Sequence, residues 1–453
     1  MRVLGTTVLL FSILACGPSG RDNTPGGVDA SDPTVDAPDP DVPATITGRV
    51  WAPNQAPGQA APGQEIPISG AVVYVSTTKP DPIPAGVYCE QCVATPNGGV
   101  LTGPDGSFTL DVFPGRYWVV IQKGQFRIES EYDLQAGRIE MTPEQTTLPS
   151  KHDPSMGLYI PKIAIGLGAS DRVEDVLGKL GLGTMIGNDW DNGAGENGPE
   201  MIELNWSGDA STPGSVAHLL SNIDELRKYH IVFFPCNASI PPAIEAMLRD
   251  QAILANIRRY VNEGGKLYVT DWSGEFIDRA FPPQLELGDA GADTMGTYDP
   301  VSFTGTLDVI GDANGDIYNL DDGKAVDPDL NAWLGLQSGP TPSSATPTMY
   351  NPDAFRIVGL YNWVKKINSV QLGVDDMDMP VYDTPKSWVS GSKNVAGGAN
   401  RPVAVTFQPT GCGKVLYTPF QTSTSVHAGL WPQERILVYL IMEIQTCSNN
   451  PIF

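Results

Sequence analysis

Residues 230–278 read HIVFFPCNASIPPAIEAMLRDQAILANIRRYVNEGGKLYVTDWSGEFID. Ile231 to Pro235 is a short apolar run, a helical pattern follows and closes on Gly264-Gly265, and a second apolar run, Lys266 to Thr270, leads into Asp271-Trp272-Ser273-Gly274. The order predicts strand, helix, strand and a polar turn. Apolar runs of this length alternating with amphipathic helical segments signal parallel strands with crossover helices, whose ligands bind beyond the carboxyl ends of the strands. The candidate ligand-binding residues at that turn are therefore Asn237, Asp271, Trp272 and Glu275.

The same pattern extends outward over residues 151–453. Lys162 to Leu167 reads as a strand, and Ser170-Asp171 offers an N-cap to a helix from Arg172 to Leu180. Gly166-x-Gly168 lacks the third glycine of a dinucleotide fingerprint and the Gly-Lys-Ser/Thr of a phosphate loop, so it reads as a tight turn. Met201 to Trp206 is a second strand, and Thr212-Pro213 opens a helix to about Lys228. The chain closes with a hairpin, Pro402 to Phe407 and Gly413 to Thr418, and a helix from Pro432 to Thr446. Between about 282 and 400 lies an acidic region rich in Gly and Pro, read as a long insertion over the carboxyl edge of the sheet. Within it, Asp312, Asn314 and Asp316 begin like a calcium loop, but Ile317 replaces the sharp-turn Gly and Gly323 stands where the loop needs Glu. Ordinary turn chemistry accounts for the same residues, and no cofactor is expected; calcium is the alternative.

Upstream, residues 45–150 change to short alternating runs such as Ala71-Val-Val-Tyr-Val75 and Arg116-Tyr-Trp-Val-Val-Ile121, separated by Pro104-Asp105-Gly106 and Pro114-Gly115. Strands so punctuated predict a small antiparallel sandwich. Residues 17–44 interleave Asp with Pro and carry almost nothing to pack, which predicts a disordered tether. Residues 1–16 read as an export signal: Arg2, an apolar segment from Val3 to Leu14 too short to span a bilayer, then Ala15 before Cys16.

Charge and cysteines set bounds. A net charge of -24 repels nucleic acid and anionic lipid, so a nucleic-acid partner is not expected. With Cys16 set aside, Cys89, Cys92, Cys236, Cys412 and Cys447 remain for an oxidising compartment. A helix packed antiparallel to the strand that Cys412 opens brings Cys447 to it, so the expected bridges are Cys412–Cys447 and a local Cys89–Cys92. A zinc site at Cys89-x-x-Cys92 lacks a second ligand pair nearby.

Three resemblances add to this. Ile13-Leu14-Ala15-Cys16-Gly17 resembles the bacterial lipobox, which implies acylation of Cys16 and, with Gly17 after it, attachment to the outer membrane. Ile68-Ser-Gly-Ala-Val-Val-Tyr-Val75 and Thr102-Gly-Pro-Asp-Gly-Ser-Phe-Thr-Leu110 resemble the carboxypeptidase-regulatory, transthyretin-like domain, which implies an accessory module or spacer. The strand-helix-strand unit with Gly264-Gly-Lys-Leu-Tyr-Val-Thr-Asp271 and the terminal Gly413-Lys-Val-Leu-Tyr-Thr-Pro-Phe420 resemble the class I glutamine amidotransferase-like fold, of flavodoxin-like topology, in its trehalose-utilisation-type branch. Tyr260-Val-Asn-Glu-Gly-Gly-Lys266 and Trp431-Pro-Gln-Glu-Arg435 are also similar to a group of myxobacterial lipoproteins, which implies a lineage and an address rather than an activity.

By the amidotransferase resemblance Trp272 stands where the family's cysteine would be and Gln421, opposite it, where the histidine would be; neither can act as nucleophile or base, and Gln421 joins the ligand-binding candidates. Of the four histidines, His152, His218 and His230 read as structural or surface residues, and His427 lies in a loop that faces the turn. The expectation is a non-catalytic, outer-membrane-anchored binding or scaffold module for a glycan or an envelope protein. The rival is an envelope hydrolase of sugar or amide substrates using Cys236 with His427, or the carboxylates of Asp271 and Glu275; a calcium-dependent adhesin is the third alternative.

Overall fold

In the computed structural model the described residues are 42–89, 98–168, 171–190, 201–236, 242–287, 318–360, 362–374, 377–392, 400–409, 411–423 and 425–444. Cys16 and almost all of the tether, Cys92, Asn237, the stretch from Asp312 to Asp316, and Cys447 lie outside them. The fold is mixed and rich in β-structure, with several sheets.

Residues 44–159 build two sheets. One holds Ser107–Val112, Ala44–Arg49 and Gly137–Glu140; the other runs Val100–Leu101, Val72–Ser76, Gly115–Lys123, Phe126–Leu134, Leu158–Tyr159. Alternate residues such as Ile46, Phe108, Leu110, Val73 and Ile121 are buried between them, as the period of two requires. The Pro104-Asp105-Gly106 turn forms as read: the Asp105 carboxylate accepts from the Ser107 N–H at 3.0 Å, and Gly106 takes φ +76°, where a Cβ would meet the Val50 carbonyl.

The larger sheet has nine strands in the order Met201–Leu204, Ile163–Gly166, Ile231–Phe234, Lys266–Thr270, Lys414–Thr418, Asn400–Phe407, Lys386–Ser392, Tyr318–Ala325, Phe355–Leu360. The first five are parallel and the rest antiparallel. Both faces of the parallel half are covered. Ile163, Ile165, Ile231, Phe233 and Tyr268 enter one core layer, and Ala164, Val232, Phe234, Leu267 and Val269 enter the other. Strands buried on both faces read as continuous apolar runs, which is why 231–235 and 266–270 stood out.

Three sequence readings are corrected here. The stretch from 282 to 400 is not only a cover over the carboxyl edge: Tyr318–Ala325, Phe355–Leu360 and Lys386–Ser392 are strands of the main sheet. Bulges between Leu320 and Gly323 and between Ser387 and Ser390 break the alternation that would have revealed them. Thr212-Pro213 does not open a helix. Asp209 caps a turn there through Ser211 and Thr212, and the helix Val216–Ser221 starts after Ser215, whose hydroxyl accepts from the His218 N–H at 3.0 Å. The helical part of the opening stretch is two helices, Pro242–Arg249 and Gln251–Asn262, the second capped by Asp250 on the Ala252 N–H.

The cysteine pairing is the fourth correction. Cys89 is bonded to Cys412, in place of both expected bridges. The reason is non-local. Residues 84–89 cross the amino ends of the central strands: Val87 N–H donates to the Arg227 carbonyl, His230 donates to the Pro84 carbonyl at 2.8 Å, and Lys266 lies over the Tyr88 ring. Gly264, at φ +110°, has no Cβ to collide with the Tyr88 carbonyl. The strap thus delivers Cys89 to the turn before Lys414. Disulfide peptide mapping is expected to recover Cys89–Cys412, and Cys412→Ala to lower stability by roughly 2–5 kcal/mol; recovery of Cys89–Cys92 as the main species would contradict the strap.

His230 is the strap's buried anchor. Its Nδ1 accepts the Lys162 N–H at 2.7 Å, so its proton sits on Nε2 and goes to Pro84. Burial, helped by the charges of Lys266 and Lys162, pushes its pKa down from 6.5 to about 4. Unfolded histidine takes up a proton below about pH 6.5 and the folded one only near 4, so the unfolded chain binds more protons in that window. The stability this group contributes is therefore lost as pH falls from 6.5 to 4, by about 3 kcal/mol. In urea titrations across that range, His230→Gln should lose this component of the pH slope; an unchanged slope would rule the anchor out.

Candidate functional site at the carboxyl edge

The strand order turns back at Ile163–Gly166, which has Met201–Leu204 on one side and Ile231–Phe234 on the other. The carboxyl ends on either side of such a reversal frame a crevice. Four chain segments meet there: Asp171 after the first strand, Cys236 after the third, Thr270-Asp271 after the fourth, and Thr418 to Thr422 after the fifth.

Asp171 ties them together. Fully buried, it accepts from the Thr270 hydroxyl at 2.5 Å on one oxygen and from the Thr422 N–H at 2.8 Å and the Thr422 hydroxyl on the other. Thr270 Oγ1 in turn accepts the Cys236 N–H at 2.7 Å. Burial raises the Asp171 pKa to about 6 in spite of these donors. The sequence offered Asp171 only as an N-cap; the helix Val173–Lys179 starts after Arg172, without a side-chain cap. An Asp closing a Gly-rich turn at a carboxyl end was the available signal.

The polar turn forms where it was read. Asp271, not Trp272, takes the left-handed conformation, φ +45°, between the strand and the short helical turn Asp271–Gly274. Asp tolerates that region and Trp rarely does. Asp271 is fully buried, its carbonyl accepts from the Tyr417 hydroxyl at 3.2 Å, and Gly274 is required because a Cβ would strike the Tyr417 ring. Trp272 is only partly buried.

Of the candidate catalytic residues, Cys236 and Asp271 come together, while His427 and Glu275 are engaged by other partners. The buried Cys236 thiol faces the Trp272 backbone N–H and the Gln421 side chain, and its pKa is raised well above the ordinary range by burial and then by the Asp271 carboxylate. Gln421 is buried, and its amide atoms make no hydrogen bond of ordinary geometry among the described residues. His427 is held elsewhere: Nε2 contacts Glu434 at 3.0 Å, and the ring stacks on Trp431 with centroids 3.9 Å apart. Glu275 is engaged by Arg279 at 2.8 Å, both buried. Among the described residues no group of three or more His, Cys, Asp or Glu is arranged to hold a metal.

Beside Asp171 lies Glu174, 3% exposed, whose pKa burial raises to about 8, with Asp171 and Asp175 adding to the shift. At neutral pH it is a buried neutral acid. A carboxyl whose folded pKa exceeds its unfolded value of 4.5 is at full advantage below pH 4.5, and loses it as pH rises through 8. Glu174→Gln should therefore match the wild type near pH 4.5 and exceed it by about 4 kcal/mol at pH 8 in chemical denaturation; a variant less stable at pH 8 would show that the carboxyl is ionised and paired.

No family model matches the chain, and no curated protein matches it. Among solved structures, it resembles a cytoplasmic protein from Salmonella typhimurium at 12% identity and a TM-score of 0.30, over 63% of this chain and 99% of that one. It also resembles a GH42 beta-galactosidase at 12% identity and a TM-score of 0.24, over 64% of this chain and 30% of that one. At those scores neither likeness bears on fold or activity.

Proposed function

We propose that the chain is a non-catalytic binding module, anchored to the outer membrane through Cys16, in which a transthyretin-like sandwich precedes an amidotransferase-like α/β domain. The order of the parallel strands supports the second assignment: numbered along the chain they lie 2-1-3-4-5, the flavodoxin-type order. Two packed sheets in residues 44–159 support the first. One observation carries the functional reading. Where that fold would place a nucleophile and a base, this chain has the buried Asp271, with a protonated Cys236 thiol and Gln421 against it, while His427 is bound to Glu434. A thiol whose pKa is raised does not attack at neutral pH, and Gln421 cannot take a proton. The ligand classes are a glycan or an envelope protein.

The test is to incubate the purified chain with envelope glycans, recover what it retains, and weigh it by mass spectrometry. Retained glycans should be intact, and Cys236 should resist iodoacetamide at pH 8 until the chain is unfolded. Cleaved products whose formation stops in Asp271→Asn would establish the hydrolase instead.

A further inference from the structure

Val370–Val374 and Pro380–Asp383 form a two-stranded hairpin that pairs with no other strand among the described residues. Its base is pinned beside the Cys412 turn: the Asp383 carboxylate accepts from the Gln408 N–H at 3.3 Å, and the Gln408 side chain donates to the Gly411 carbonyl at 2.6 Å. Residues that stand opposite each other share a face, Gln371 with Tyr382 and, past a bulge, Val374 with Pro380. Pro380 and Tyr382, two apart on one strand, point the same way, so the four make one face, and all four are exposed. Val370, Gly373, Val381 and Asp383 make the other face, which is half-buried.

Two strands alone are marginally stable in water. This pair nevertheless turns apolar side chains outward: Val374 and Tyr382 are 54% and 55% exposed, and Met377 and Met379 in the connecting loop are 78% and 59% exposed. Tyr and Met are enriched at the buried centres of protein interfaces, and the Met side chain adapts to the surface it meets. Five residues span about 17 Å and two strands about 10 Å, so the face offers on the order of 200 Å², well below the roughly 800 Å² per partner of a stable dimer. It fits a single extended segment. Charge selects which one. The loop reads Asp375-Asp376-Met377-Asp378-Met379, and the cations that flank the hairpin in sequence, Lys366 and Lys386, are already paired with Glu286 at 3.1 Å and Asp327 at 2.8 Å. In a chain of net charge -24, a second copy or an anionic surface is repelled from this loop and a basic segment is drawn to it.

We infer that this face docks an extended segment of a partner protein in which apolar residues alternate with Lys or Arg, the apolar ones packing on Val374 and Tyr382 and the basic ones lying toward the acidic loop. The inference stands apart from the carboxyl edge and does not depend on what binds there. The test is fluorescence anisotropy of the full chain with labelled octapeptides that alternate Lys-Val, Lys-Ser or Glu-Val, at physiological ionic strength. Saturable binding of the Lys-Val peptide is expected, with the other two at least about tenfold weaker. Tyr382→Ser and Val374→Ser leave the charge unchanged and should each weaken the Lys-Val peptide at least about fivefold. Both side chains are exposed, so the melting temperature should hold; Met377→Ser, in the loop, repeats the measurement if either variant does not fold. No saturable binding of the Lys-Val peptide, equal binding of the Lys-Ser peptide, or unchanged affinity in the variants would overturn the inference. So would a dimer in sedimentation, or flotation with phosphatidylcholine vesicles, that Tyr382→Ser abolishes, since the occupant would then be a second copy or a lipid surface.

Discussion

The buried carboxylate of Asp171 holds the carboxyl edge in one arrangement. It takes donors from the ends of two different strands, Thr270 and Thr422, and through the Thr270 hydroxyl fixes the backbone of a third at Cys236. A residue at positive φ persists only where its surroundings over-determine it. Asp271 follows Thr270 directly, and the Tyr417 hydroxyl fixes its carbonyl from the other side. The sharp turn is therefore a consequence of the Asp171 network, and so is the burial that keeps Cys236 protonated.

The same burial explains how a chain of net charge -24 tolerates acids inside. Asp171 and Glu174 hold protons at higher pH than exposed carboxyls do, Glu275 is neutralised by Arg279, and Asp175 is paired with Arg172.

The parallel half of the sheet was legible in the sequence because strands buried on both faces cannot alternate, and their apolar runs are conspicuous. Of the antiparallel half only the hairpin strand at 402–407 was legible; the outer strands were not, because bulges at Leu320 to Gly323 and Ser387 to Ser390 interrupt the period by which a half-buried strand is recognised. The turn at residues 271–274 was legible as a polar break after an apolar run, but which of its residues takes positive φ was not, until the conformational cost of Trp against Asp is weighed. The disulfide was illegible for a different reason. Cys89 and Cys412 are 323 residues apart, and their meeting depends on how Tyr88 and Pro84 lie across strands whose positions the sequence leaves open.

Docking of the N-terminal sheets also bears on what kind of module they are. A spacer would meet the α/β part through few contacts and move against it. Here one hydrophobic core runs from Val73 and Ile121 through Trp333 and Leu437 to Ile163 and Ile165, without a break at residue 150. Polar fastenings are distributed likewise: Lys123 pairs with Glu443, Trp333 donates to the Pro67 carbonyl, and residues 84–89 are bonded across the amino ends of the sheet. Separating the two parts would expose apolar surface on both and leave Lys123 and His230 without their partners. The N-terminal sheets are therefore a wall of the α/β unit.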